Sequence, residues 1–124
     1  MSADHRTALA TCGELLAAEH LCRRGYEIVA RNARTRFGEI DLIAHGHGTL
    51  VFVEVKTRRA GGNAGTPLEA IDHRKVRQVR KLAASWLSEA PERPSADDLR
   101  FDAVGVTVGQ QGELVSLDHL EGAF

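Results

Sequence analysis

The chain has 124 residues, 43% hydrophobic and 27% charged, which suits one globular domain (1–124) with a real core. No apolar run approaches the roughly 20 residues that cross a bilayer, and the polar start Met1-Ser2-Ala3-Asp4-His5-Arg6 reads as the lead into a helix, with no secretory signal expected. The net charge of −1 hides a division: residues 1–81 carry 14 Lys/Arg against 9 Asp/Glu, while residues 82–124 carry 2 against 8. The basic part suits steering of a phosphate backbone, as well as plain solvation.

Residues 4–24 read as a helix ended by Gly25, a good residue just past a helix C-terminus. Glu14 falls on the same side as Ala10, Ala17, Ala18 and Leu21, where an acid is out of place unless the rim is wet and an arginine meets it. Cys12 and Cys22 share this helix, about 15 Å apart along its axis. A disulfide needs Cα atoms within about 7 Å, so none is expected, in keeping with a reducing cytoplasm.

Tyr26–Arg31 reads as a short strand, followed by a stretch in which Arg31, Arg34 and Arg36 are interleaved with Asn32 and Phe37. These arginines suit phosphate contacts or a charged, soluble sheet edge. Next comes a hairpin. Gly38–Ala44 and Leu50–Thr57 are apolar runs joined by His45-Gly46-His47-Gly48-Thr49, which is turn chemistry. A turn centred between His47 and Gly48 pairs Ala44 with Val51 and Ile43 with Phe52, and sets Asp41 opposite Glu54. Side chains so placed lie roughly 4.5–5.5 Å apart at Cβ, where two carboxylates repel unless they share a proton or a cation. Lys56 projects from the same face as Glu54. Glu39 shares the face of Asp41 and falls opposite Lys56, as an ion-pair partner that would position the lysine. His45 and His47, without a third ligand, are expected in solvent.

Arg58-Arg59-Ala60-Gly61-Gly62-Asn63-Ala64-Gly65 is a basic loop at the mouth of that site and lacks the spacing of a phosphate-binding P-loop. Thr66-Pro67-Leu68-Glu69 is a helix start, with N-cap Thr, Pro at N1 and a capping-box Glu. The helical pattern, with a break near Asp72, runs to about Ala90. Val76, Val79, Ala83, Trp86, Leu87 and Ala90 form its buried stripe; Arg74, Arg77 and Lys81 form another face, and Lys75 lies close to Val79 and Leu82. A basic helix face suits phosphate contacts. Phe101–Val108 reads as a strand, Gly109–Gly112 as a turn, and Glu113–Leu117 as a last strand before an acidic tail. Asp102 reads as a turn or packing partner. The order helix, strand, strand, strand, helix, strand, strand implies an α/β domain with a mixed sheet covered by helices.

Asp41, Glu54 and Lys56 on adjacent strands resemble the PD-(D/E)xK nuclease signature, although Ile40 stands where its proline would be. With Glu14 on a preceding helix, the set resembles the archaeal Holliday-junction resolvase branch. By string, Gly13-Glu14, Gly25-Tyr26, Arg31-Asn32, Gly38–Ala44, Val51–Arg58, Lys75, Ala83 with Trp86-Leu87, and Arg100–Asp102 resemble the YraN-like family of small bacterial proteins. That resemblance implies a restriction-endonuclease-like fold. It implies that Asp41, Glu54 and the Val55 carbonyl bind Mg²⁺ or Mn²⁺, that Glu14 holds a water on the ion or a second ion, and that Lys56 orients or deprotonates the attacking water. The expected substrate is DNA, branched or structured DNA included, contacted by Arg31, Arg34, Arg36, Arg58, Arg59, Arg74, Lys75, Arg77 and Lys81. The alternatives are a nucleic-acid-binding module that keeps the fold without catalysis, and a protein-interaction module recruiting partners through its acidic part. Resolvase-like action would require a homodimer.

Overall fold

The computed structural model describes residues 2–61, 73–90 and 92–124. The elements are α1 (Ser2–Arg23), β1 (Glu27–Thr35), β2 (Gly38–Gly46), β3 (Thr49–Arg59), α2 (His73–Glu89), β4 (Asp98–Val108) and β5 (Leu114–Leu120). Among the described residues, the order αβββαββ and a five-stranded mixed sheet flanked by two helices match the expected class and are consistent with a restriction-endonuclease-like fold. The expected N-cap and capping box at Thr66–Glu69, the break near Asp72 and much of the basic loop lie outside the described residues.

The strands lie in sequence order, β1-β2-β3-β4-β5. Among the described strands only β3 and β4 run parallel, and α2 falls in the connection between them, as a parallel crossover requires. Each face of the sheet has its own helix. Ala17, Ala18 and Leu21 of α1 pack on Leu42, Ala44, Val51, Val53, Val104, Val106 and Val108. On the other face, Leu82 and Ala83 of α2, with Trp86 and Leu87, cover Ile40, Ile43, Leu50 and Phe52. Trp86 meets Phe52 edge-on at 5.9 Å between centroids, so it belongs to the core, as its place in the apolar stripe requires.

Every strand is longer than the sequence suggests. β1 continues through the basic stretch to Thr35 because β2 templates it, with Arg31 opposite Leu42, Ala33 opposite Ile40 and Arg34 opposite Glu39. An edge strand tolerates such polar residues, since half of its neighbours are solvent. β5 likewise runs on to Leu120, pairing the expected acidic tail with β4. The hairpin register is as predicted, with Ala44 opposite Val51 and Ile43 opposite Phe52. His47 and Gly48, at φ +53° and +73°, make the two-residue turn. The cysteines are free.

Candidate metal centre and its surroundings

The β2–β3 ladder stops at Leu42 and Val53, one pair short of Asp41 and Glu54. The predicted rung between the two acids does not form. Instead the Asp41 carboxylate enters the gap, and its Oδ2 accepts the backbone N–H of Val55 at 2.8 Å. An amide that would otherwise seek a strand partner is thereby satisfied by a side chain. The result is an aspartate held at the parting of two strands, half-buried between both layers of the domain.

Glu14 reaches this gap from α1 because Gly13 precedes it. A Cβ at Gly13 would lie 2.7 Å from both Cβ and Cγ2 of Thr57 and overlap its Oγ1. Only glycine lets the helix lie so close to β3. Glu14 does not meet an arginine. It lies close enough to Asp41 for the two carboxyls to shift each other, and its Oε1 takes the carboxamide of Asn32 at 3.2 Å. From the α2 side, Lys75 Nζ lies 2.7 Å from Glu54 Oε1, and Lys56 Nζ lies 3.6 Å from the same oxygen.

These placements set the electrostatics. Burial, opposed by the Val55 N–H and reinforced by Glu54 and Glu14, pushes the Asp41 carboxyl up to about 7. Burial raises Glu14 too, Asn32 lowers it, and Glu39 raises it again. Glu54 and Glu14 thus bear on Asp41 through their charge, with Lys56 and Lys75 beside Glu54. The donors are all oxygen, which suits a hard divalent cation, and such a cation would relieve the crowding. They do not form a ready cage: among the described residues, no three Asp, Glu, His or Cys side chains are gathered to hold a metal.

Glu39 departs from its expected role. It lies 3.9 Å from Arg34 and is hydrogen-bonded to Asn32, while Lys56 pairs with Glu54. The cross-strand partner for Lys56 is lost because the ladder ends before their rung, and the lysine turns along its own strand.

The basic residues divide by position. Arg31 and Arg34 are exposed beside grooves that flank Glu14. Arg36 and Lys81 both sit over the Phe37 ring, at 4.7 and 4.1 Å from its centre. Arg74 and Arg77 are exposed on α2, whereas Lys75 turns inward to Glu54. Arg59 donates to the carbonyls of Gly109 and Gln110, tying the end of β3 to the β4–β5 turn. Arg58 is half-buried, and its Nε has no hydrogen-bond partner among the described residues. His45 and His47 bond Ser95 O and Arg24 O at the rim, away from the carboxylates.

A second polar cluster escapes sequence reasoning. Asp102, fully buried in mid-β4, accepts Nε and Nη2 of Arg100, Nε2 of His119 and the N–H of Gly122. Arg100 also donates to the Tyr26 hydroxyl, and His119 Nδ1 lies 3.0 Å from His20 Nε2. The alternation Arg100-Phe101-Asp102 could have signalled an ion pair on one face of a strand; its partners from α1 and β5 could not have been found that way.

Residues 13–106 match the group described as "Uncharacterised protein family UPF0102", the YraN-like family. The "UPF0102 protein" of Rhodococcus opacus is 47% identical over 120 residues, covering 97% of this chain and 98% of that one. That of Symbiobacterium thermophilum is 51% identical over 102 residues, covering 82% and 84%. That of Frankia alni is 44% identical over the full length of both.

Proposed function

The chain belongs to the uncharacterised protein family UPF0102, and from its site we propose that it is a Mg²⁺- or Mn²⁺-dependent nuclease acting on DNA, branched or structured DNA included. One observation carries the reading: an aspartate in a strand gap, crowded by Glu54 and Glu14 and pushed up to about 7, with Lys56 paired to Glu54. Perturbed carboxylates gathered beside a lysine are the arrangement expected where charge must change during a reaction.

Asp41, Glu54, Glu14 and the Val55 carbonyl are the residues that would hold the ion. A divalent cation there would supply the positive charge that phosphodiester hydrolysis needs. Lys56, on the Glu54 side of the gap, orients the attacking water or carries its proton, and balances charge developing on the phosphate. Arg31 and Arg34 beside Glu14, and the exposed Arg36, Arg74, Arg77 and Lys81, offer contacts to the backbone. With Mn²⁺ and branched, flapped, single-stranded and duplex DNA, wild-type protein is expected to cleave at least one substrate. Asp41→Ala should cut at background rate; equal cutting by the mutant would end the reading.

The ion pairs on Glu54 favour a second reading, a nucleic-acid-binding module without turnover. There Lys56 and Lys75 neutralise Glu54 permanently. It predicts salt-sensitive DNA binding, weakened by substitution of Arg74, Arg77 or Lys81, and no Asp41-dependent uptake of Mn²⁺.

A further inference from the structure

Asn32 lies on β1 between Arg31 and Ala33, whose partners Leu42 and Ile40 flank Asp41 on β2. It therefore lies level with Asp41, on the edge strand across β2 from the gap. Its backbone is left-handed, φ +49°. Asparagine is among the few side-chain-bearing residues that adopt this conformation readily. Held so, its carboxamide donates through Nδ2 to Glu14 Oε1 at 3.2 Å and to Glu39 Oε1 at 2.8 Å. Two carboxylates require the nitrogen to face them, because an amide oxygen would add a third repelling acceptor. The bridge joins an acid of α1 to an acid of β2, beside a groove lined by Thr7, Ala10, Thr11 and Arg34.

We propose that Asn32 is a positioning residue: its carboxamide bridges Glu14 and Glu39 and so holds the Glu14 carboxylate against Asp41 in the strand gap. The site's part in metal-dependent hydrolysis rests on the reading above; the bridge does not. Both hydrogens of one amide are committed, one to each acid, so Glu14 has a neutral donor that brings no competing positive charge into the site. An arginine or lysine in that place would neutralise Glu14 as Lys75 does Glu54. Outer partners of this kind orient ligating groups, and their loss commonly weakens metal binding 10- to 100-fold. The left-handed backbone is part of the device, since an extended residue here would send its side chain elsewhere.

Two measurements test this. In metal-free protein, the two side-chain amide protons of Asn32 should be shifted downfield by NMR, with Glu14→Gln moving one and Glu39→Gln moving the other. Signals at solvent values that ignore both substitutions overturn the bridge. In calorimetry with Mn²⁺, Asn32→Gly keeps the backbone conformation and removes the amide. It is expected to weaken Asp41-dependent binding about 10-fold or more, with the melting temperature within a few degrees of wild type. Asn32→Asp, which replaces the donor with another acid, should release more protons per Mn²⁺ bound, read from the dependence of the heat on buffer ionisation. Unchanged affinity and proton release overturn the positioning role while leaving the nuclease reading intact. Wild type that takes up no Mn²⁺ removes the nuclease reading, and the bridge then stands or falls on the NMR result.

Discussion

Asp41 and Asp102 lie in the same sheet and carry opposite burdens. Burial pushes both carboxyls upward. At Asp102 the donors from His119, Arg100 and Gly122 outweigh it and bring the group down to about 2. At Asp41 one backbone N–H and the charge of Lys75 work against burial and two neighbouring acids, and the group stands near 7. Contact with solvent does not decide the outcome, since Asp102 has no exposed surface and Asp41 keeps some. The number of donors decides it. A buried charge with its donors ties elements together: Asp102 links β4 to β5, to α1 through His119 and His20, and to the C-terminal turn through Gly122. A buried charge short of donors is poised to take a proton or a cation.

The comparison breaks most readily at Asp102. Asp102→Ala should cost about 3–5 kcal/mol, the usual loss when one partner of a buried ion pair is removed. Urea denaturation measures it, and a loss below about 1 kcal/mol would mean that the cluster does not tie the fold. Asp41→Asn should act in the opposite sense. The raised carboxyl keeps its proton in the folded state while the unfolded chain loses it above about pH 4. Wild-type stability should therefore fall between about pH 4 and 7, through Asp41, and stay reduced above. The substitution should gain on the order of 2–4 kcal/mol at pH 8 and nothing at pH 4, by the same urea assay. Equal effects at both pH values would show that Asp41 is not strained.

Gly13→Ala sharpens the contrast from the α1 side. The added methyl meets Thr57 and should cost about 1–3 kcal/mol. Combining it with Thr57→Gly should recover a good part of that loss if the close approach is its cause. The smallest effect concerns His20, lowered by burial, by His119 and by Arg24 and Arg23. As pH falls through about 6.5 the unfolded chain takes this proton first, so stability drops on acidification. His20→Gln should flatten the slope of stability between pH 5 and 7 by under about 1 kcal/mol.

The element order, the hairpin register and the buried stripe of α2 were legible from local pattern. Periods of two and 3.6, glycine at turns and apolar runs act over a few residues and survive in one dimension. The full extents of β1 and β5 were not legible, since those strands are extended by what pairs with them. The site was half legible. Charges inside apolar strands marked Asp41, Glu54 and Lys56, and an acid on a small-residue face marked Glu14. That Asp41 binds the Val55 amide, that Lys75 joins Glu54 from α2, and that Glu39 turns to Asn32 depend on where the β2–β3 ladder ends. Nothing in the strand pattern says where two well-matched strands part.

By itself, then, the amino-acid sequence determined which residues carry charge into the core and which strand or helix bears each. The tertiary structure alone decided how many donors each of those charges meets, because donors arrive from elements distant along the chain. That count separates Asp102, held by His119 from β5 and by the C-terminal turn, from Asp41, left short of partners at the parting of two strands.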